Sequence, residues 1–81
     1  MKFAVLVEVS LRPGIADPQG STIERSLPTL GFDGIDGVRV GKAIRFDIEA
    51  EDEGSARGRV EELSKRFLTN PVIEDFTVTL S

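Results

Sequence analysis

The chain is predicted to fold as one α+β domain over residues 1–81: a ferredoxin-like βαββαβ plait with a four-stranded antiparallel sheet and two helices on one face. Three observations lead there. Apolar residues alternate at period 2 near both ends of the chain and again in its middle. Two intervening segments space their apolar residues as helices do and carry capping residues at their starts. The resulting order, strand, helix, strand, strand, helix, strand, closes on one sheet through right-handed crossovers, which puts both helices on the same side.

The first strand is read over residues 3–9, where Phe3, Val5, Val7 and Val9 alternate with Ala4, Leu6 and Glu8. "PGIADPQG" follows, two prolines and two glycines in eight positions, which predicts a loop of fixed shape. Asp17 can cap a helix and Pro18 suits its first position, with Ser21 and Glu24 as a competing capping box. Ile23, Leu27 and Leu30 share a face of that helix. Pro28 should loosen its last turn, Gly31 should stop it left-handed, and Phe32 should fold back towards Leu27.

Residues 35–50, "IDGVRVGKAIRFDIEA", read as a hairpin turning at Gly41-Lys42, with Ile44, Phe46 and Ile48 on the buried face of its second strand. The second helix spans about 53 to 69. Asp52 is its N-cap, Ala56, Val60, Leu63 and Phe67 form its apolar stripe, and Glu61–Lys65 and Glu62–Arg66 pair on the solvated side. Asn70-Pro71 ends it, and a last strand alternates Val72, Phe76, Val78 and Leu80 with Asp75, Thr77 and Thr79.

Composition excludes several chemistries. The chain has no cysteine and no histidine, so thiolate nucleophiles, disulfides, cysteine-ligated zinc and the usual imidazole base are all absent. Fourteen acidic against ten basic residues give a net charge of −4, which disfavours nucleic acid as a partner. RNA binding also needs aromatics on the open sheet face, whereas all five Phe residues fall on core-facing positions of this reading. No apolar run reaches the roughly 20 residues of a membrane span, and Glu8 interrupts the first one too early for a signal peptide, so a cytoplasmic domain without membrane partners is expected.

The remaining candidates are contacts. Arg12-Pro13-Gly14 faintly resembles an acylphosphatase-type anion loop, but Pro13 offers no N–H. Arg39, Lys42 and Arg45 around the expected hairpin could hold a phosphate or carboxylate, or simply keep an edge from aggregating, and the second reading is favoured. The acidic run Glu49 to Glu53 suits the start of a helix better than a divalent metal. No pair of groups is placed for catalysis, and neither a cofactor nor a metal is expected on this chain.

"LRPGIADPQG", "LGFDGIDGVRVGKAI" and "FLTNPVIEDFTVTL", in this order nearly end to end, resemble the PurS family, the small subunit of bacterial phosphoribosylformylglycinamidine synthase. One departure is Ser64, where many relatives carry cysteine. The resemblance implies a non-catalytic subunit of purine biosynthesis. It would bridge a large synthetase subunit, which uses ATP and magnesium, and a glutaminase subunit that supplies ammonia. It also implies a homodimer or higher homo-oligomer, and makes Asp17, Pro18, Gln19, Gly20, Arg39, Gly41, Lys42, Asn70 and Pro71 candidate subunit contacts. The alternative is a regulatory module like the ACT domain, which shares the expected topology and binds an amino acid between paired copies.

Overall fold

A long central strand organises the molecule. The structure is a computed structural model and describes all of residues 1–81. Strand β1 (Lys2–Leu11) lies between β2 (Gly41–Glu49) and β3 (Glu74–Leu80), antiparallel to both, in the order β2-β1-β3. The register runs from Lys2 opposite Glu49 to Ser10 opposite Gly41 on one side, and from Val5 opposite Leu80 to Leu11 opposite Glu74 on the other. Period-2 alternation therefore aligns Phe3, Val5, Val7 and Val9 with Ile44, Phe46 and Ile48 and with Phe76, Val78 and Leu80 on one face.

Helix α2 (Glu53–Leu63) covers that face. The Asp52 carboxylate accepts from the Ser55 N–H at 2.7 Å and so satisfies one of the first-turn donors. Val60 completes a core with Val5, Val7 and Val9, and Ala56 is buried beside it. Each fully buried valine contributes about 1.5–3 kcal/mol, and five buried apolar residues make a small core.

Helix α1 (Pro18–Ser26) starts as the sequence predicts, with Asp17 as N-cap and Pro18 in the first position, and not at the Ser21 alternative. Pro28 opens a 3₁₀ turn, Pro28–Leu30, so the helix does loosen where its hydrogen bonding is interrupted. Gly31 (φ 91°) ends it, with Gly31 N–H donating to Pro28 O and Phe32 N–H to Leu27 O at 2.9 Å, the Schellman pattern.

Three expectations are corrected. The sheet has three strands, not the four of a complete plait, because residues 35–40 form no strand and Gly41-Lys42 is no turn. Gly34 and Gly37 adopt left-handed φ of 80° and 67°, which interrupts an extended run, and side chains of the α1 segment take the N–H groups of Val38 and Val40 that a ladder would use. Gly41 opens β2 because the strands approach closely there: a Cβ would lie 2.6 Å from Val9 O. Secondly, the helices do not both cover the sheet. The chain has a radius of gyration of 16.3 Å and extents of 52 × 25 × 14 Å, where a compact 81-residue domain would have a radius of about 12 Å. The α1 segment and the residues up to 37 form the projecting arm, exposed along almost their whole length.

The third correction concerns the apolar stripe of α2. The helix continues past Leu63 into a π turn, Ser64–Leu68, closed by Thr69 N–H donating to Ser64 O at 3.0 Å. The face that meets the sheet runs Ala56, Val60, Ser64 at α-helical spacing and on to Leu68 in the π turn, so Leu63 and Phe67 are exposed. Val72, assigned to the last strand, lies exposed in the turn before β3. Of the predicted surface pairs, Arg66–Glu62 forms at 3.1 Å, while no Glu61–Lys65 bridge is present.

Candidate subunit-contact site

At the end of the sheet where β1 stops and β2 and β3 begin, three connecting segments meet, and side chains bonded to backbone hold them. Asp17, only 8% exposed, accepts from Gly20 N–H at 2.9 Å and from Val40 N–H at 2.8 Å, so one carboxylate caps α1 and clamps it to the approach to β2. The Val40 N–H, then the Gly20 N–H, and more weakly Arg39 and the Gln19 N–H, hold the Asp17 carboxyl below its ordinary value of 3.8 against the opposing effect of burial. Glu24 repeats the clamp from the next part of the helix, accepting from Val38 N–H at 2.9 Å. Gly20 is buried at this crossing, where the helix leaves no room for a side chain beside the Val38 carbonyl.

Two arginines tie the other side. Arg39 donates to Ile15 O at 3.1 Å and to Arg12 O at 3.3 Å, fixing the β1–α1 loop. Arg12 donates to Pro71 O, pairs with Asp75 at 3.2 Å, and its own N–H reaches Ile73 O at 2.8 Å. In the same turn Asn70 Oδ1 accepts from Val72 N–H at 3.1 Å, and Glu74 accepts from Asn70 N–H at 2.7 Å.

The structure thus gathers the predicted residues into two groups on one end of the molecule. Asp17, Pro18, Gln19, Gly41 and Lys42 border a notch with Val9, Val40 and Glu74, and Gly20 lies beneath it against Val38. Asn70 and Pro71 stand on the other side, connected through Arg12 to Arg39. The basic cluster does not form. Lys42 stands opposite Val9 and Arg45 opposite Leu6, on opposite faces of β2, and Arg39 is committed to carbonyls. Sequence reasoning missed Glu24 as a clamp and Arg12 as a tie. Asp17 and Glu24 stand seven apart on α1, two helical turns, and could have been matched to the alternate N–H groups of an extended segment.

These features define an elongated α+β module whose organised surface is a set of backbone-anchored loops. Residues 4–81 match the family described as PurS: Phosphoribosylformylglycinamidine (FGAM) synthase. The phosphoribosylformylglycinamidine synthase subunit PurS of Methanocaldococcus jannaschii is 37% identical over 76 residues, 94% of this chain and 92% of that protein. The corresponding subunit of Synechocystis sp. is 39% identical over 70 residues, 86% of this chain and 70% of that protein. Among solved structures, a chain in the structure of PurLQS from Thermotoga maritima superposes with a TM-score of 0.91 at 32% identity, covering 100% of this chain and 99% of that one. The chain belongs to the PurS family.

Proposed function

We propose that this chain is the bridging, non-catalytic subunit of a cytoplasmic phosphoribosylformylglycinamidine synthase in purine biosynthesis. It holds a glutaminase subunit against a larger synthetase subunit so that ammonia passes from one to the other. ATP and magnesium act in the synthetase subunit and are not bound here. The observation that carries this reading is the full-length likeness to a chain of the PurLQS structure. The organised end of the sheet supports it, because loops already fixed by Asp17, Arg12 and Arg39 lose little further entropy when a partner docks on them. No helix is long and apolar enough to cross a membrane.

The chain also self-associates through its arm. Ile23, Leu30, Phe32 and Ile35 are all exposed on a segment that packs little against its own sheet. A second copy is the partner that gives every chain the same cover.

Reconstitution tests the reading. Synthetase and glutaminase subunits from the same genome should make the amidine from ammonia without this chain, and from glutamine only when it is added. Glutamine-dependent synthesis that is undiminished without the chain would refute the bridge. Sedimentation of the chain alone should give a mass of two or more copies, reduced to one by Leu30→Ser with Phe32→Ser.

A further inference from the structure

We infer that the outer edge of β2 pairs with the same edge of a second copy, antiparallel and in one register, joining two three-stranded sheets into one of six strands. The inference rests on the self-association proposed above and adds a contact that acts beside the arm. It begins with the backbone groups the sheet leaves free. Ala50 N–H donates to Met1 O at 2.9 Å and Met1 N donates to Ala50 O at 2.8 Å, so on β2 the N–H and C=O groups of even-numbered residues face β1. Those of Ala43, Arg45 and Asp47 point away from the sheet and meet no other group of the chain. The opposite edge is different. There Arg57 reaches over from α2 and donates to Val78 O at 3.3 Å, in the middle of β3.

The side chains select both the partner and the register. Arg45 and Asp47 are exposed on the face away from α2, opposite Leu6 and Ala4, and neither forms an ion pair within the chain. On the other face Ile44, Phe46 and Ile48 lie at the margin of the core and stay half-buried. A two-fold axis at Phe46 sets Arg45 against the partner's Asp47 and Asp47 against the partner's Arg45. It also sets Ile44 against the partner's Ile48, and the two Phe46 rings against each other. Opposite charges and aromatic pairs are the favourable cross-strand neighbours, and like charges the unfavourable ones. Sliding by one pair places Arg45 against Arg45 in one direction and Asp47 against Asp47 in the other. Larger slides place Lys42 against Phe46, or Asp47 against Glu49. Strand β3 has no equivalent solution, because Asp75 is the one charge on its outward face and already pairs with Arg12.

A single strand edge falls short of the roughly 800 Å² per partner that a stable interface buries, so the edge acts together with the arm. The register allows this. Lys42 falls opposite the partner's Ala50, and the arm, which runs into Gly41, therefore leaves the sheet beside the partner. The pairing also closes on itself, since each copy spends its open edge on the other.

Charge exchange tests it. Self-association of the full chain is measured by sedimentation at about 50 mM and about 300 mM salt for Arg45→Asp, Asp47→Arg, the double variant carrying both, and an equimolar mixture of the two single variants. Both side chains are exposed and unbonded, so far-ultraviolet circular dichroism should match the unaltered chain in every case. Each single variant sets like charges opposite twice and should associate at least tenfold more weakly, the loss shrinking at high salt. The double variant and the mixture restore both opposite-charge pairs, so association should return to within about threefold of the unaltered chain. Amide hydrogen exchange at residues 43, 45 and 47 should slow as concentration rises. Single variants that associate like the unaltered chain would overturn the edge contact while leaving the arm contact standing, provided Leu30→Ser with Phe32→Ser still lowers the mass. Losses that neither the double variant nor the mixture repairs would overturn this register. An unaltered chain that stays single at every concentration would bring down the arm and the edge together.

Discussion

Two helical glycines should respond in opposite directions to the same substitution. Gly58, on α2, has no atom within 4 Å of the position a Cβ would take. Alanine there gains helix propensity, about 0.8–1 kcal/mol. Gly20 has the same propensity to gain, but its added Cβ would press on the Val38 carbonyl oxygen and lie 2.9 Å from Asp17 Oδ2 and 3.0 Å from Asp17 Cγ. Val38 O is backbone and cannot swing aside, so α1 must move away from residues 38–40. The Asp17–Val40 and Glu24–Val38 bonds then stretch. Overpacking of this kind costs about 1–3 kcal/mol, and the strained clamps add to it, so Gly20→Ala should be net destabilising by about 1–2 kcal/mol. For a domain of this size that is a fall in Tm of about 4–16 °C, against a rise of about 3–8 °C for Gly58→Ala. Thermal unfolding followed by circular dichroism, at one fixed protein concentration because any self-association would make Tm concentration-dependent, reads both. If Gly20→Ala were as stabilising as Gly58→Ala, the close crossing of α1 over Val38 would be wrong, and with it the account of the clamp.

The same physical chemistry yields three more expectations. Ser64 is fully buried and its hydroxyl has no hydrogen-bond partner, so Ser64→Ala should raise stability by about 1 kcal/mol, seen as a higher Tm; a loss would mean that the hydroxyl is satisfied. Because Asp17 has a folded pKa below its unfolded one, the stability it contributes is present above the unfolded value and lost as pH falls through the folded one. Tm should therefore decline as pH drops below about 4, and Asp17→Asn should start lower and decline less over that range. Pro18→Gly combined with Gln19→Ala leaves the core untouched, so in a pull-down titration it should weaken assembly with the larger subunits more than it lowers Tm; equal affinity would remove this loop from the interface.

What could be read in the sequence was what neighbouring residues decide together. The β1 alternation has only one register that buries Val5, Val7 and Val9, and Asp17-Pro18 and Gly31 carry their own helix boundaries within a few residues. The expected hairpin failed for a nonlocal reason. Gly41-Lys42 is worded like a turn, but the N–H groups of Val38 and Val40 are captured by carboxylates 14 and 23 residues earlier in the chain, and β1 claims residues 41–49. The stripe of α2 failed for a different one. Spacings of 56-60-63-67 and 56-60-64-68 both suit a helix until the surface it packs on is known, and it is the second that meets the sheet, with Ser64 wholly buried. Of the site, the entry at Asp17 was legible. Arg12 and Arg39 were not, because their partners are carbonyls, which every residue possesses and no motif marks.

That choice of partners says what the chain is built to do. An 81-residue polypeptide with five buried apolar residues has little core to spare. Even so, its arm is extended, two apolar side chains that could have faced the sheet are turned to solvent, and Asp17, Glu24, Arg12, Arg39 and Asn70 are bonded to backbone rather than to one another. Side chain to backbone bonds fix where a loop runs, so they create a defined shape at the surface. Ile23, Leu30, Phe32 and Ile35 on the arm are uncovered in the single chain, so a partner that covers them would add to its stability. A bridge made this way becomes most ordered when both of its sides are occupied.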